Sequence, residues 1–406
     1  MRGSWLPEVA IQRQSPIGED YWHSIAISAA RGLAAVVVAA AHLRAEMYPG
    51  LRTLDDPSLW FQAFAFATGF AHQAVLVFFV ISGWLVGGSL LQKMDQRGAC
   101  IDYAIDRVTR LWTVLIPTFV LTVVFGLASG LLHPGSVDFS PANEFSAVSF
   151  VGNLLGLQSV VLDEFGGNYA LWSLANETWY YIAFPLLVLL FTVRHPSTRI
   201  ASLAGLALLG ALLPVEIVMY FAIWLLGVAF SRIRIACSGW LRCAWLLPLL
   251  ATSAYFRLTA DNDRFDRTTL GMDFLLSLMF LALLASLQFR ATSTSALARP
   301  LARTGQFFAE FSFSLYVLHL PLIFLLQHLL QTHLGLRQLS PEEPLHFAIY
   351  LAMLGTLLFG AYLSYLLFES RTYRLRRVIK ALAGRRTGPM PATATAPVNA
   401  GSNTHR

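Results

Sequence analysis

The chain has 406 residues, 56% hydrophobic and only 13% charged, with a formal net charge of +6. Soluble domains carry about 25% charged residues; half that share, with a mean hydropathy of +0.58, excludes an ordinary soluble domain and points to a polytopic membrane protein. The basic balance does not mark a nucleic-acid binder: Lys and Arg sit between apolar runs and after the last of them, the positive-inside pattern of membrane chains.

Residues 1–23 carry Arg2, Glu8, Arg13, Glu19 and Asp20 without an apolar core. A cleavable signal peptide is therefore not expected, and the stretch reads as a cytoplasmic segment. Apolar runs follow at about 24–43, 70–91, 111–132, 171–193, 200–214, 216–231, 242–256, 269–288, 308–330 and 346–368. These predict an all-α fold of about ten transmembrane helices. The fifth and sixth runs are short and separated by Pro214 and Glu216, so one bent hairpin is the alternative there. With the N-terminus inside, 23 of the 29 Lys and Arg residues fall on inner segments; Arg44, Arg52, Arg257, Arg264, Arg267 and Arg337 fall outside. Removing one span would exchange the sides of everything downstream and erase this asymmetry, so both termini are expected to be cytoplasmic.

Two connectors are long. Residues 133–170 lie outside and carry Asp138, Glu144, Asp163 and Glu164 without Lys or Arg; residues 92–110 lie inside and are basic. Cys100, Cys237 and Cys243 fall on or near the inner face, where thiols stay reduced. No CxxC pair is present, so neither a disulfide nor a metal site is expected. Residues 24–370 read as one membrane domain without internal repeats. Residues 371–406 read as a basic juxtamembrane segment, Arg371 to Lys380, anchoring on anionic lipid, then a disordered Pro-, Ala- and Thr-rich tail from Gly384.

Polar groups inside spans are costly in lipid and therefore informative. In the first run, Arg31-Gly-Leu-Ala-Ala-Val-Val-Val-Ala-Ala-Ala-His42 places a cation and an imidazole eleven residues apart. On a helix that is roughly 20° in angle and about 16 Å in depth, so both look out on one side. His42 falls towards the outer half, where an interfacial histidine is the plain alternative. The fourth span opens Trp172-Ser-Leu-Ala-Asn-Glu-Thr-Trp-Tyr-Tyr181. Ser173, Tyr180 and Tyr181 can share the face of Glu177, a carboxylate with no evident structural need, although Trp172 and the tyrosines also suit an interfacial aromatic belt. In Phe78-Phe-Val-Ile-Ser-Gly-Trp84, Ser82 and Gly83 allow close helix approach. In Ser312-Phe-Ser-Leu-Tyr-Val-Leu-His-Leu-Pro321, Ser312 and His319 share a face with Tyr316 beside them. Arg107-Val-Thr-Arg110 at the inner mouth of the third span forms either a two-pronged phosphate site or a positive-inside anchor. The pattern is polarised: anion capture inside, proton chemistry further out.

These five stretches, in this order, resemble the membrane-bound acyltransferase 3 family over about residues 20–375. The resemblance implies a ten-span inner-membrane enzyme that O-acylates envelope saccharides or glycolipids. The donor would be cytoplasmic acyl-CoA, acetyl-CoA by default, used as a substrate with no tightly bound cofactor. Arg31, Arg107 and Arg110 would hold the CoA phosphates. His42 would be the base and Glu177 its orienting or charge-stabilising partner. Ser82, Trp172, Ser173, Tyr180, Ser312, Tyr316 and His319 would line the pore or contact substrate. Transfer directly, or through an acyl-histidine, fits equally. The chain departs from the family pattern at Thr178, where many members have a second acidic residue, and at Leu76, where many are polar. A C-terminal hydrolase-like domain found in some members has no counterpart in the short tail, so no second transfer by such a domain is expected. A transporter or flippase for an acylated or lipid-linked sugar shares the intramembrane polar groups but predicts internal pseudo-symmetry. A scaffold leaves the two-sided polar placement unexplained.

Overall fold

The computed structural model describes residues 7–13, 18, 20–96, 98–133, 138–259, 265–291 and 298–384. Most of the expected disordered tail, together with Arg2, Arg97 and Arg264, lies outside the described residues. The helices in chain order are α1 (Trp22–Met47), α2 (Leu59–Ala67), α3 (Ala71–Ser82), a π-helical turn (Gly83–Gly87), α4 (Gly88–Lys93), α5 (Ala99–Ala128) and α6 (Ala147–Leu154). They continue with α7 (Trp172–Thr192), α8 (Pro196–Leu212), α9 (Val215–Phe230), α10 (Gly239–Thr259), α11 (Leu270–Ser286) and α12 (Ala298–Glu310). The last three are α13 (Ser312–Leu334), α14 (Pro344–Leu367) and α15 (Thr372–Leu382). Two short strands, β1 (Glu8–Ile11) and β2 (Ile233–Ala236), pair antiparallel with Glu8 opposite Ala236.

Each predicted apolar run coincides with a helix, apart from the second, which matches the continuous α3–π–α4 segment, and the ninth, which crosses from the end of α12 into α13. Among the described residues, six helical segments are long and apolar enough to cross a membrane, while α8, α9 and α11 are apolar but shorter. Chains such as Val120, Val124, Leu208, Leu247, Leu351 and Phe359 remain exposed, as a lipid-facing surface requires: in hydrocarbon an apolar side chain has no reason to turn inward. The fifth and sixth runs form two helices meeting at Leu213 and Pro214.

Two boundaries differ from the sequence reading. The connector expected over 92–110 is short, because α5 begins at Ala99. Its polar first turns are helical and carry Asp102 and Asp106, which face Arg376 and Lys380 of α15. Ion pairs with another helix leave no apolar periodicity to read. The ninth run, 308–330, straddles two helices: its first residues end a separate amphipathic helix, α12, and α13 starts only after Phe311.

α1 is the hub, packing against α3, α11, α12, α13 and α14. Its small residues make this possible. A Cβ on Gly32 would lie 2.5 Å from Phe308 Cβ, so α12 can approach only a glycine there. Val38 and Ala39 are fully buried at its centre. The connections sort to two ends. At one, β1 pairs with β2, Gln288 Nε2 donates to the Ile233 carbonyl at 2.6 Å, and Trp22 N donates to the Phe289 carbonyl at 3.0 Å. At the other, Leu339 N donates to the Met47 carbonyl at 2.7 Å and Tyr169 Oη to Glu46 Oε1 at 3.0 Å.

Candidate active site

The site is built on α1 and α13. An arginine at the centre of a membrane helix costs about 2.5–3.5 kcal/mol to insert, so Arg31 must turn inward. Its Nη2 donates to Ser312 Oγ at 3.4 Å. Further along the same two helices, His42 Nδ1 and His319 Nε2 stand 2.8 Å apart. The two pairs form rungs between α1 and α13, which is the shared face expected for Arg31 with His42 and for Ser312 with His319.

The hydrogen bonds assign the protons for neutral rings. His319 Nδ1 lies 3.1 Å from the Leu315 carbonyl, which can only accept, so Nδ1 carries the hydrogen and Nε2 the lone pair. His42 Nδ1–H then donates to His319, and His42 Nε2 keeps a basic lone pair. The His42 ring is half-buried, with the Tyr169 ring edge-on at 5.2 Å between centroids.

A cavity of about 690 Å³ opens beside the Arg31 rung, within the ordinary range for small-molecule sites. Its lining brings the charged side chains of Lys93, Asp106, Arg107, Arg110 and Arg376 together with Arg31, Ser82, Glu177, Tyr181 and Ser312. Phe78, Ser173 and Tyr316 line it on the side nearest His319. Ser173 Oγ and Tyr316 Oη are 2.6 Å apart, the Phe78 ring meets Tyr316 edge-on at 5.5 Å, and Tyr316 lies 5.9 Å from the His319 ring. Tyr316 thus has the chamber on one side and the histidine pair on the other.

Glu177 accepts hydrogen bonds from Ser82 Oγ and Tyr181 Oη, while Trp224 Nε1 donates to Ser82 Oγ at 3.2 Å. Ser82 ends α3 where the π turn begins, a distortion that recurs at functional sites. The next residue, Gly83, fits against α9 because it lacks a Cβ: one added there would sit 2.0 Å from the Trp224 carbonyl oxygen, and one on Gly227 would sit 2.1 Å from that of Val80. The close helix approach expected from Ser82-Gly83 is present.

Two expectations are corrected. Glu177 makes no hydrogen bond to His42: its Oε1 accepts from Ser82 and Tyr181, and the His42 ring is hydrogen-bonded to His319. A shared span half does not make a contact, because helix rotation decides which faces meet. Trp172 and Tyr180 do not line the cavity. Trp172 packs on Phe79 and Phe265, and Tyr180 is buried among Phe79, Phe221 and Trp224. Tyr181, one residue on, takes the cavity position.

Several site residues escaped the sequence reading. Glu369 accepts from Ser314 N at 3.1 Å and Ser314 Oγ at 2.7 Å and interacts electrostatically with Arg110 and Arg31. A lone carboxylate directly after the last apolar run was the available signal. The aromatic neighbours of the expected arginines were not foreseen: Arg107 faces the rings of Tyr103 and Tyr181 at 5.8 and 5.7 Å, and Arg110 faces Phe313 at 5.7 Å. Asn168 Nδ2 donates to the Val317 carbonyl at 2.8 Å, tying the long connector to α13. A separate buried network joins His72 Nε2 to Asp273 Oδ1 at 2.7 Å, with Tyr220 donating to Asp273 Oδ2; it lies off the cavity lining.

Fold and site define a helical membrane protein with a basic chamber that extends from one end towards a histidine pair. The acyltransferase 3 family model, described as an acyltransferase domain, matches residues 24–366, and the chain belongs to that family. Over 147 residues it is 26% identical to an uncharacterized protein of Haemophilus influenzae, covering 35% of this chain and 59% of that one. Over 123 residues it is 33% identical to a Staphylococcus aureus (strain COL) protein named "Putative O-acetyltransferase", covering 29% of this chain and 20% of that one. A protein of the same name from strain MSSA476 matches to the same extent. The chain thus spans only part of the curated relatives it matches. No solved structure matches it.

Proposed function

We propose that the protein is an inner-membrane O-acyltransferase that takes an acyl group, acetyl by default, from cytoplasmic acyl-CoA to a hydroxyl of an envelope saccharide or glycolipid. Residues 24–370 act as one ten-span unit with both ends in the cytoplasm, so the basic mouth faces the donor pool. The observation that carries this reading is the paired rungs of α1 and α13, with the arginine rung on the chamber wall and the histidine rung beyond Tyr316. Family membership supports the reaction class.

In this reading Arg31, Arg107 and Arg110 hold the donor's phosphates through charge-assisted hydrogen bonds. The thioester arm extends along the chamber towards Ser173 and Tyr316. His42 Nε2 takes the proton of the acceptor hydroxyl as its oxygen attacks the thioester carbonyl. The C–S bond breaks as the ester C–O bond forms, and the proton passes to the departing thiolate, leaving CoA as the thiol. His319 is the positioning partner that keeps His42 Nε2 unprotonated. Glu177 holds the Ser82 and Tyr181 hydroxyls in the wall and balances the arginine charge.

General-base catalysis contributes about 10²–10⁴-fold. His42→Ala should therefore lose that much transfer of label from radiolabelled acetyl-CoA to envelope glycans, in membranes that contain normal amounts of the protein. Full transfer by both His42→Ala and Glu177→Gln would remove this reading.

A further inference from the structure

The basic stretch after α14 reads in sequence as a uniform lipid anchor, but the fold divides it. Arg371, Arg374 and Arg377 are exposed. Arg376 and Lys380 turn towards α5: Lys380 Nζ lies 2.7 Å from Asp106 Oδ1 and 4.0 Å from Asp102 Oδ1, and Arg376 Nε lies 3.3 Å from Asp106 Oδ1. Of the described residues of α15, Arg376 lines the chamber. Its Nε is buried without a hydrogen-bonded acceptor, and so is that of Arg107; the contact with Asp106 brings opposite charges together without aligning an N–H on the carboxylate.

Buried guanidinium N–H groups lacking acceptors are costly unless a ligand supplies them. Arg107, Arg110 and Arg376 come from two helices and line the one chamber. A planar guanidinium is suited to bidentate phosphate recognition, and three at one opening suit a ligand with several phosphate oxygens. Asp106 offsets part of this charge: its Oδ1 lies 2.7 Å from Lys380 Nζ and 3.3 Å from Arg376 Nε and is hydrogen-bonded to neither, and of these two cations Arg376 is the one that lines the chamber.

We propose that Arg376 is a binding residue for the phosphates of the donor's nucleotide end, completing with Arg107 and Arg110 a three-arginine clamp, and that Asp106 and Lys380 fix α15 so that Arg376 closes the chamber mouth. The proposal rests on the acyl-CoA reading above. The ligand chemistry is an organic phosphate, and a phospholipid headgroup shares it.

The test is equilibrium binding of radiolabelled acetyl-CoA to the full chain in nanodiscs of zwitterionic lipid, competed with adenosine 3′,5′-bisphosphate. Arg376→Ala and Arg376→Gln should each weaken acetyl-CoA by about 10-fold or more, and the bisphosphate in parallel. Arg374→Ala, on the exposed face, should bind as the parent does. The glutamine variant preserves side-chain bulk and carries the test if the alanine variant is not recovered. Unchanged affinity in Arg376→Gln, alongside weakened binding in Arg107→Ala, overturns the proposal and leaves the donor reading intact. A defect seen only in nanodiscs containing anionic lipid assigns Arg376 to a headgroup and also overturns it. Failure of the parent protein to bind acetyl-CoA would strike the donor reading itself.

Discussion

His319 commits its Nδ1–H to the Leu315 carbonyl and so has only Nε2 to offer His42. That local choice fixes the tautomer of a residue on another helix, since an imidazole that donates through Nδ1 must present a lone pair at Nε2. Replacing His319 with leucine removes the acceptor without adding charge. His319→Leu should lower transfer roughly 10-fold, the order of one hydrogen bond, and alter the pH profile. His319→Gln, whose amide oxygen can accept, should recover part of the rate. Equal losses in the two variants, with an unaltered pH profile, would assign His319 to packing alone. Glu177 follows the same logic in reverse. Its Oε1 accepts from both Ser82 and Tyr181, so it shapes the chamber wall, and His42 is hydrogen-bonded to His319 instead.

At the scale of elements, the chamber depends on how closely α3 and α9 approach. Gly83 and Gly227 each face the other helix's backbone at about 2 Å from a notional Cβ. Nothing flexible stands there to yield, so Gly83→Ala must push the helices apart. Overpacking of this kind costs about 1–3 kcal/mol, and the displacement separates Ser82 from Trp224. Thermal unfolding of the detergent-purified protein should show a lowered midpoint. Gly210 in α8 has open space around it, so Gly210→Ala should be neutral or slightly stabilising through helix propensity. If both variants melt alike, the contact is not under compression. α15 is also an element whose role follows from partnership: its sequence describes a basic amphipathic surface helix, and only its ion pairs with α5 turn Arg376 inward.

At the scale of the whole molecule, the connections gather into two groups at opposite ends, and Lys and Arg divide between them 23 to 6 on the expected topology. The proposed sidedness rests on that division. It predicts that Cys100, Cys237 and Cys243 react in intact cells only with membrane-permeant thiol reagents, whereas a cysteine placed by Arg337→Cys in the connector before α14 reacts with impermeant ones. Labelling of Cys243, which is exposed, by an impermeant reagent would reverse the orientation and turn the basic mouth away from the cytoplasm.

The sequence by itself determined the membrane class, the helical character of each apolar run, and the costly polar residues that had to turn inward, Arg31, Glu177 and His319 among them. Those properties belong to single helices, because composition and periodicity set what a segment can bury. Tertiary structure alone decided the partners: His42 with His319, Glu177 with Ser82 and Tyr181, Asp106 with Lys380 and Arg376, and Tyr181 in place of Tyr180 on the chamber wall. Such pairings depend on the rotation and depth of each helix against its neighbours. Those are fixed by close contacts such as Gly83 on α9 and Gly32 on α12, which join residues far apart in the chain and leave no periodic trace within either helix.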